Sequence, residues 1–324
     1  MKNLERKVLS IFIIFSLYSC KKEIVKHNTS LDEISNRKFE HKFISRGDNF
    51  PDFKISKENR RLFLVALHNN IPIKEFQTKT KINDEELNSM IQLLKSKKWI
   101  HKINGKYKPT VFVATREDGE RLYKYSEPIA RLIALKIKEL LPNIKEKFNH
   151  TEISLTHNFE EWSFQILSNV LLDNWQIFHV ENQFLGKYAR PVRHGKNYYA
   201  SITELTTDRE SFGIYGNKYG KISVYGNNRM KADLSSTKYF VSKKDNEVFI
   251  ELAKAFLPEL IKILNTKKEY SQEVFEKLGY SKEITFEEFY MWWYHFIYSQ
   301  TTEFMEEMKI LSIPIDGNFV YGIE

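Results

Sequence analysis

Residues 83–108 read NDEELNSMIQLLKSKKWIHKINGKYK, and the fold of the N-terminal half follows from this stretch. Asn83 offers a side-chain acceptor just before Asp84, Glu85 and Glu86. An Asn followed by acids predicts an N-cap and a first turn that complements the positive end of the helix dipole. Leu87, Met90, Ile91 and Leu94 recur at helical spacing and give that helix one apolar stripe. From Trp99 the period changes. Trp99-Ile100-His101-Lys102-Ile103 and Lys106-Tyr107-Lys108 are short alternating runs joined by Asn104-Gly105. Asn-Gly between such runs predicts a tight β-hairpin.

Upstream, Leu62, Phe63, Val65, Ala66 and Leu67 predict a first helix, and Pro72 opens a second that ends near Lys79. Three helices followed by a hairpin, over residues 57–115, resemble a winged-helix domain. The resemblance implies a third helix that enters a DNA groove and a hairpin that grips phosphate. His101, Lys102, Lys106 and Lys108 are the nucleic-acid candidates it implies. Asp84, Glu85 and Glu86 argue against it, since they sit on the turn that would enter the groove and DNA affinity is dominated by phosphate neutralisation. A scaffold used for protein contact or packing is the plainer reading.

From Thr115 onward the chain reads as mainly helical. Ser126 and Pro128 open a long helix with Ile129, Leu132, Ile133, Leu135, Ile137 and Leu140, which Pro142 kinks or ends. Another helix is expected over residues 159–178. Residues 198–203, 211–215 and 221–225 read as strands. Ile214-Tyr215-Gly216-Asn217 and Val224-Tyr225-Gly226-Asn227 repeat one pattern, which consecutive strands ending in Gly-Asn turns explain. The alternative is that Tyr215, Asn217, Tyr225 and Asn227 line a polar-aromatic pocket. Ser242 and Asp245 cap a helix that Pro258 should kink. Thr285 and Glu288 cap a last one whose middle, residues 289–298, is aromatic or apolar on every side and so belongs in the core. The fold class is therefore α+β and mainly helical. A winged-helix-like module at 51–125 is followed by a helical domain at 126–324 with a small antiparallel sheet near 198–227.

The N-terminus carries an address. Lys2, Arg6 and Lys7 precede an apolar run over residues 8–19, and Leu17-Tyr18-Ser19 lead into Cys20, the only cysteine. The run is too short for a bilayer core, which needs roughly 20 apolar residues. A basic start, a short apolar stretch and a terminal cysteine resemble the lipobox signal of bacterial lipoproteins. That resemblance implies removal of residues 1–19 and a lipid on Cys20. It places the chain in the bacterial cell envelope, on the periplasmic side or the cell surface, held to the membrane by two or more acyl chains. Residues 20–50 are polar and read as a tether, about 30 Å in r.m.s. span.

Formal net charge is +8, from lysines spread along the chain with no basic arm of the nucleic-acid type. No zinc-protease, serine-hydrolase, phosphate-loop or paired-cysteine spacing occurs, so the sequence names no metal, no cofactor and no catalytic residue. Asp173, His179 and Glu181 lie close together but match no metal template. Arg190, Arg193 and His194, with Lys187 and Lys196 nearby, form a basic segment whose guanidinium forks suit a carboxylate or phosphate. His295 sits inside the aromatic helix. Convergence of Arg193, His194 and His295 in one cleft would make a hydrolase-like site. The favoured expectation is an envelope-anchored module that binds a protein partner or a small ligand. A cytoplasmic winged-helix regulator that binds DNA or senses a ligand is the alternative.

Overall fold

The computed structural model describes residues 30–47, 49–57, 59–186, 190–206, 209–210, 213–235 and 237–324. The signal segment with Cys20, and Lys187 of the basic segment, lie outside them. Helix α1 (Leu31–Ser35) opens on Ser30, whose hydroxyl accepts from the Glu33 amide while the Glu33 carboxylate accepts from that of Ser30. Strand β1 (Lys38–Ile44) follows. Helices α2 (Arg60–His68), α3 (Ile73–Thr80) and α4 (Asp84–Ser96) then lead into the hairpin of β2 (Ile100–Ile103) and β3 (Lys106–Pro109). Asn83 caps α4 in a reciprocal box with Glu86, and Asn104 and Gly105 turn the hairpin at φ values of 48° and 80°.

Residues 31–44 were expected to belong to the tether, and here the fold departs from the sequence reading. Leu31, Ile34 and Phe39 are buried in one core with Phe63, Phe76 and Trp99. β1 pairs antiparallel with β7 (Tyr199–Thr206), from Lys38 opposite Leu205 to Ile44 opposite Tyr199. β4 (Phe112–Ala114) runs parallel on the other edge of β7. This sheet is the wall between two cores. Val111, Val113, Ala200 and Ile202 face the first core, whereas Phe112, Ala114 and Tyr199 face the second, as the two-residue period of a strand requires.

The expected boundary at residue 125 falls inside a helix. α5 runs unbroken from Arg116 to Phe148, with Pro128 and Pro142 both inside it. Its start is set by Thr115 and Asp118, a capping box eleven residues before the expected opening at Ser126. Leu122, Ile129, Ile133, Ile137, Ile144 and Phe148 stay buried along one stripe, and this burial outweighs the hydrogen bond that each proline removes.

The helix expected over 159–178 is instead broken. α6 (Phe159–Phe164) widens into a π-helical turn (Gln165–Val170), and after α7 (Ile177–His179) comes a second one (Val180–Phe184). Strands β5 (Val192–Arg193) and β6 (Lys196–Asn197) form a small hairpin before β7, and β8 (Arg209–Glu210) pairs back onto β7. β9 (Tyr215–Tyr219), β10 (Ile222–Gly226), β11 (Phe240–Val241) and β12 (Asn318–Ile323) make the second sheet, in the order β11-β12-β10-β9. Gly216 and Asn217 therefore lie in a strand and not in a turn; the turn is at Gly220, with φ of 63°. Gly226 has a different reason to be glycine: a Cβ there would land on the Gly317 carbonyl oxygen.

Helices α8 (Lys243–Thr266), which carries Pro258 without interruption, and α9 (Lys268–Lys277) precede α10 (Phe286–Glu307). α10 is buried from Glu288 to Ser299 and lies along α5, where the Trp293 indole donates to the Leu122 carbonyl at 2.9 Å. The molecule is thus α+β and mainly helical, as the sequence predicts.

A buried ionic joint ties the two cores together. His68 on α2 donates from Nδ1 to Glu283 at 2.6 Å and from Nε2 to Asp118 at 3.1 Å, while Lys108 donates to Glu283 at 3.1 Å. Burial alone would lower the His68 pKa, but the charges of Glu283 and Asp118 reverse that and raise it to about 9. A histidine raised this way contributes stability that is fully present below pH ~6.5 and lost as pH rises through about 9. In urea unfolding, the stability difference between wild type and His68→Gln should therefore shrink by on the order of 2 kcal/mol between pH 6.5 and 9.5. A difference that does not change with pH would remove His68 as the cause.

Candidate functional site

The second core contains a polar cluster that its position does not require for packing. β1 places Glu40 and Lys42 on the same face of the sheet as Ile44, which packs against the second core. Their side chains meet at 3.2 Å. Arg229, just after β10, lies 3.8 Å from Glu40 and donates to Asn217 at 3.4 Å. Both cations converge on Tyr215 at the start of β9. The Lys42 amino group is 3.7 Å from its ring centroid and the Arg229 guanidinium 5.2 Å. His295 stacks on the Tyr215 ring at 4.8 Å and on Trp292 at 5.5 Å.

Helix α10 holds this arrangement in place. Tyr298 donates to the Ile214 carbonyl at 2.6 Å, and Ser299 accepts from the Ile214 amide at 2.8 Å. His295 donates from Nδ1 to the Met291 carbonyl at 2.8 Å, which leaves Nε2 as the ring's acceptor. Behind Tyr298 lies Asp173, with Tyr225 bonded to Ser168 at 2.6 Å nearby. The π-helical turn contributes Ser168 and Asn169, and such turns are frequent at functional sites. The Asn169 side-chain oxygen and the Tyr294 hydroxyl are buried with no hydrogen-bond partner among the described residues.

Burial sets the electrostatics. Desolvation pulls the Lys42 amine down to about 7, Glu40 opposing the shift and Arg229 adding to it. Desolvation pushes the Asp173 carboxyl up to about 7, against Tyr298 and Arg229. It lowers His295 to about 3, so this imidazole is neutral at physiological pH. A base and an acid are thus both poised near neutrality on one cluster, the pattern that ligand and reaction sites share.

Some residues singled out in the sequence meet here. Tyr215, Asn217 and His295 belong to the cluster, and Tyr225 borders Asp173. Asn227 does not; its amide donates to Gly317 at 3.1 Å in a turn. The basic segment is structural. Arg190 makes a buried two-pronged pair with Glu181, both bonds 2.8 Å, and Arg193 bonds Glu288 and the Tyr198 carbonyl at 2.6 Å each and the Thr110 carbonyl. Both guanidiniums are thus held by acceptors within the fold. His194 is exposed at φ 51°, 3.9 Å from Asp52. Arg193 meets α10 at Glu288, two turns before His295, so the hydrolase-like convergence with His194 does not occur.

The hairpin differs too. His101 donates to the Lys282 carbonyl at 3.0 Å, and Lys108 is buried on Glu283, leaving only Lys102 and Lys106 of the four exposed. The sequence reading passed over Glu40, Lys42 and Arg229. A signal for the first two existed in the alternation Phe39-Glu40-His41-Lys42-Phe43, a strand with one charged face. Among the described residues no group of His, Cys, Asp and Glu has metal-ligand geometry, and no helix is long and apolar enough to cross a membrane. Comparison with protein-family models, with curated proteins and with solved structures finds no match.

Proposed function

We propose that the chain is a lipid-anchored binding protein of the bacterial cell envelope that takes a small anionic ligand at the Lys42–Tyr215–Arg229 cluster. The envelope address rests on the lipobox-type segment ending at Cys20. The binding role is carried by one observation: two cations, Arg229 buried and Lys42 13% exposed, converge on one buried, face-contacted tyrosine. Desolvating a charge can cost more than a neighbour returns, so two cations gathered on one ring suit a ligand better than a stability role. A carboxylate or phosphate between Lys42 and Arg229 would restore the charge of Lys42, with the Tyr215 and His295 rings as walls. Binding at pH 7 then takes up about half a proton, since the Lys42 amine is lowered to about 7.

A thermal-shift screen of small carboxylates, phosphates and sugar acids tests the site. At least one is expected to raise the wild-type melting temperature by several degrees and to leave Tyr215→Ala unmoved. No shift from any anion, or one that survives the substitution, removes the proposal. Labelled palmitate should enter the full-length chain in a bacterium and be absent from Cys20→Ala. The winged-helix alternative retains Lys102 and Lys106 but still presents Asp84, Glu85 and Glu86, all exposed, on the turn that would approach phosphate. Duplex binding at low salt that weakens in Lys102→Ala/Lys106→Ala would favour it instead.

A further inference from the structure

We infer that the cleft between the β2–β3 hairpin and the α2–α3 turn is a second binding site, for a single-chain anionic amphiphile of the fatty-acid type. The cleft encloses about 330 Å³. That falls at the lower end of small-molecule pockets, roughly 300–1,000 Å³. Leu67, Ile71 and Ile73 wall it on the helical side and Tyr107 on the hairpin side. Lys102 and Lys106 stand at its rim, and its lining includes no carboxylate. Neither rim lysine has an ion pair among the described residues, and Lys102 lies 5.7 Å from the Tyr107 ring centroid.

These features ask for different things from one ligand. The walls favour an alkyl chain, and the rim favours one negative headgroup at its end. A nucleic acid would leave the apolar walls unfilled, and a neutral lipid would leave the two ammonium groups without complement. Lys108, also in the lining, is committed to Glu283 and holds the hairpin in place behind the chain. This site is separate from the Lys42 cluster, and its occupant does not depend on that proposal.

Isothermal titration of the intact protein with dodecanoate, below its micelle concentration, tests the assignment. One equivalent should bind, with affinity lowered at least tenfold in Lys102→Ala/Lys106→Ala, whose exposed side chains can be removed without loss of fold. Decanoate, two methylenes shorter, should bind about fifteenfold more weakly, since each buried methylene is worth about fourfold in affinity. Ile73→Glu, at a half-exposed wall position, should abolish binding, and Lys42→Met should leave it unchanged. Any of four results overturns the proposal: no binding, equal affinity for dodecanol, insensitivity to the lysine substitutions, or loss in Lys42→Met. Association with phosphatidylglycerol vesicles in the absence of dodecanoate binding would likewise overturn it.

Discussion

Arg193→Met is expected to lower the free energy of unfolding by about 3–5 kcal/mol, the range for removing one partner of a buried ion pair. Arg193 is only 4% exposed and Glu288 only 1%. Glu288 also accepts from the Ala200 amide at 3.1 Å, and burial already pushes its pKa up against the pull of Arg193. Without the guanidinium, a buried carboxylate and the carbonyls of Thr110 and Tyr198 all lose their donor. The three acceptors belong to the segment before β4, the start of β7 and the first turn of α10, so the pair fastens the dividing sheet to the central helix. Urea unfolding at pH 7 measures the loss. The double variant Arg193→Met/Glu288→Met should recover part of it, because no charge is stranded although the Thr110 and Tyr198 carbonyls and the Ala200 amide stay without these partners. A loss under about 1 kcal/mol in the single variant would show that the pair does not fasten this joint.

Elements with local chemical signals were legible in the sequence. The α4 cap at Asn83, the Asn104-Gly105 turn and the buried middle of α10 all rest on residues within a few positions of one another. Elements that depend on distant partners were not. β1 reads as polar because Lys38, Glu40, His41 and Lys42 outnumber Phe39 and Phe43, and its partner β7 lies some 160 residues away. Proline is a strong local stop, yet Pro128 and Pro142 sit inside α5, where burial along the helix decides. The candidate site was half legible for the same reason. Aromatic and amide groups at 215, 217, 225 and 295 attract attention in a sequence, whereas a lysine and an arginine are taken for surface until a fold buries them.

At Lys42 the buried-charge argument has the opposite sign. Lys42→Met is expected to raise stability at pH 7 by about 1–3 kcal/mol, as when a buried charge is replaced by an apolar group of similar length. Glu40 keeps Arg229 3.8 Å from its Oε1 after this change, and the loss of the Lys42 contact at its buried Oε2 offsets part of the gain. The pH dependence carries the same sign. The amine is lowered to about 7 in the fold against 10.5 ordinarily, so its burial cost is complete below pH 7 and fades as pH rises to 10.5. The stabilisation should follow that course and be gone near pH 10.5.

Under the proposed ligand site, ligand response and stability should separate in this variant. The most direct test is urea unfolding of wild type and Lys42→Met side by side from pH 6 to 10.5. A more stable variant at pH 7, converging on wild type at high pH, is the result that a ligand site predicts. A variant less stable than wild type at every pH would make Lys42 a structural ion-pair member and contradict the site.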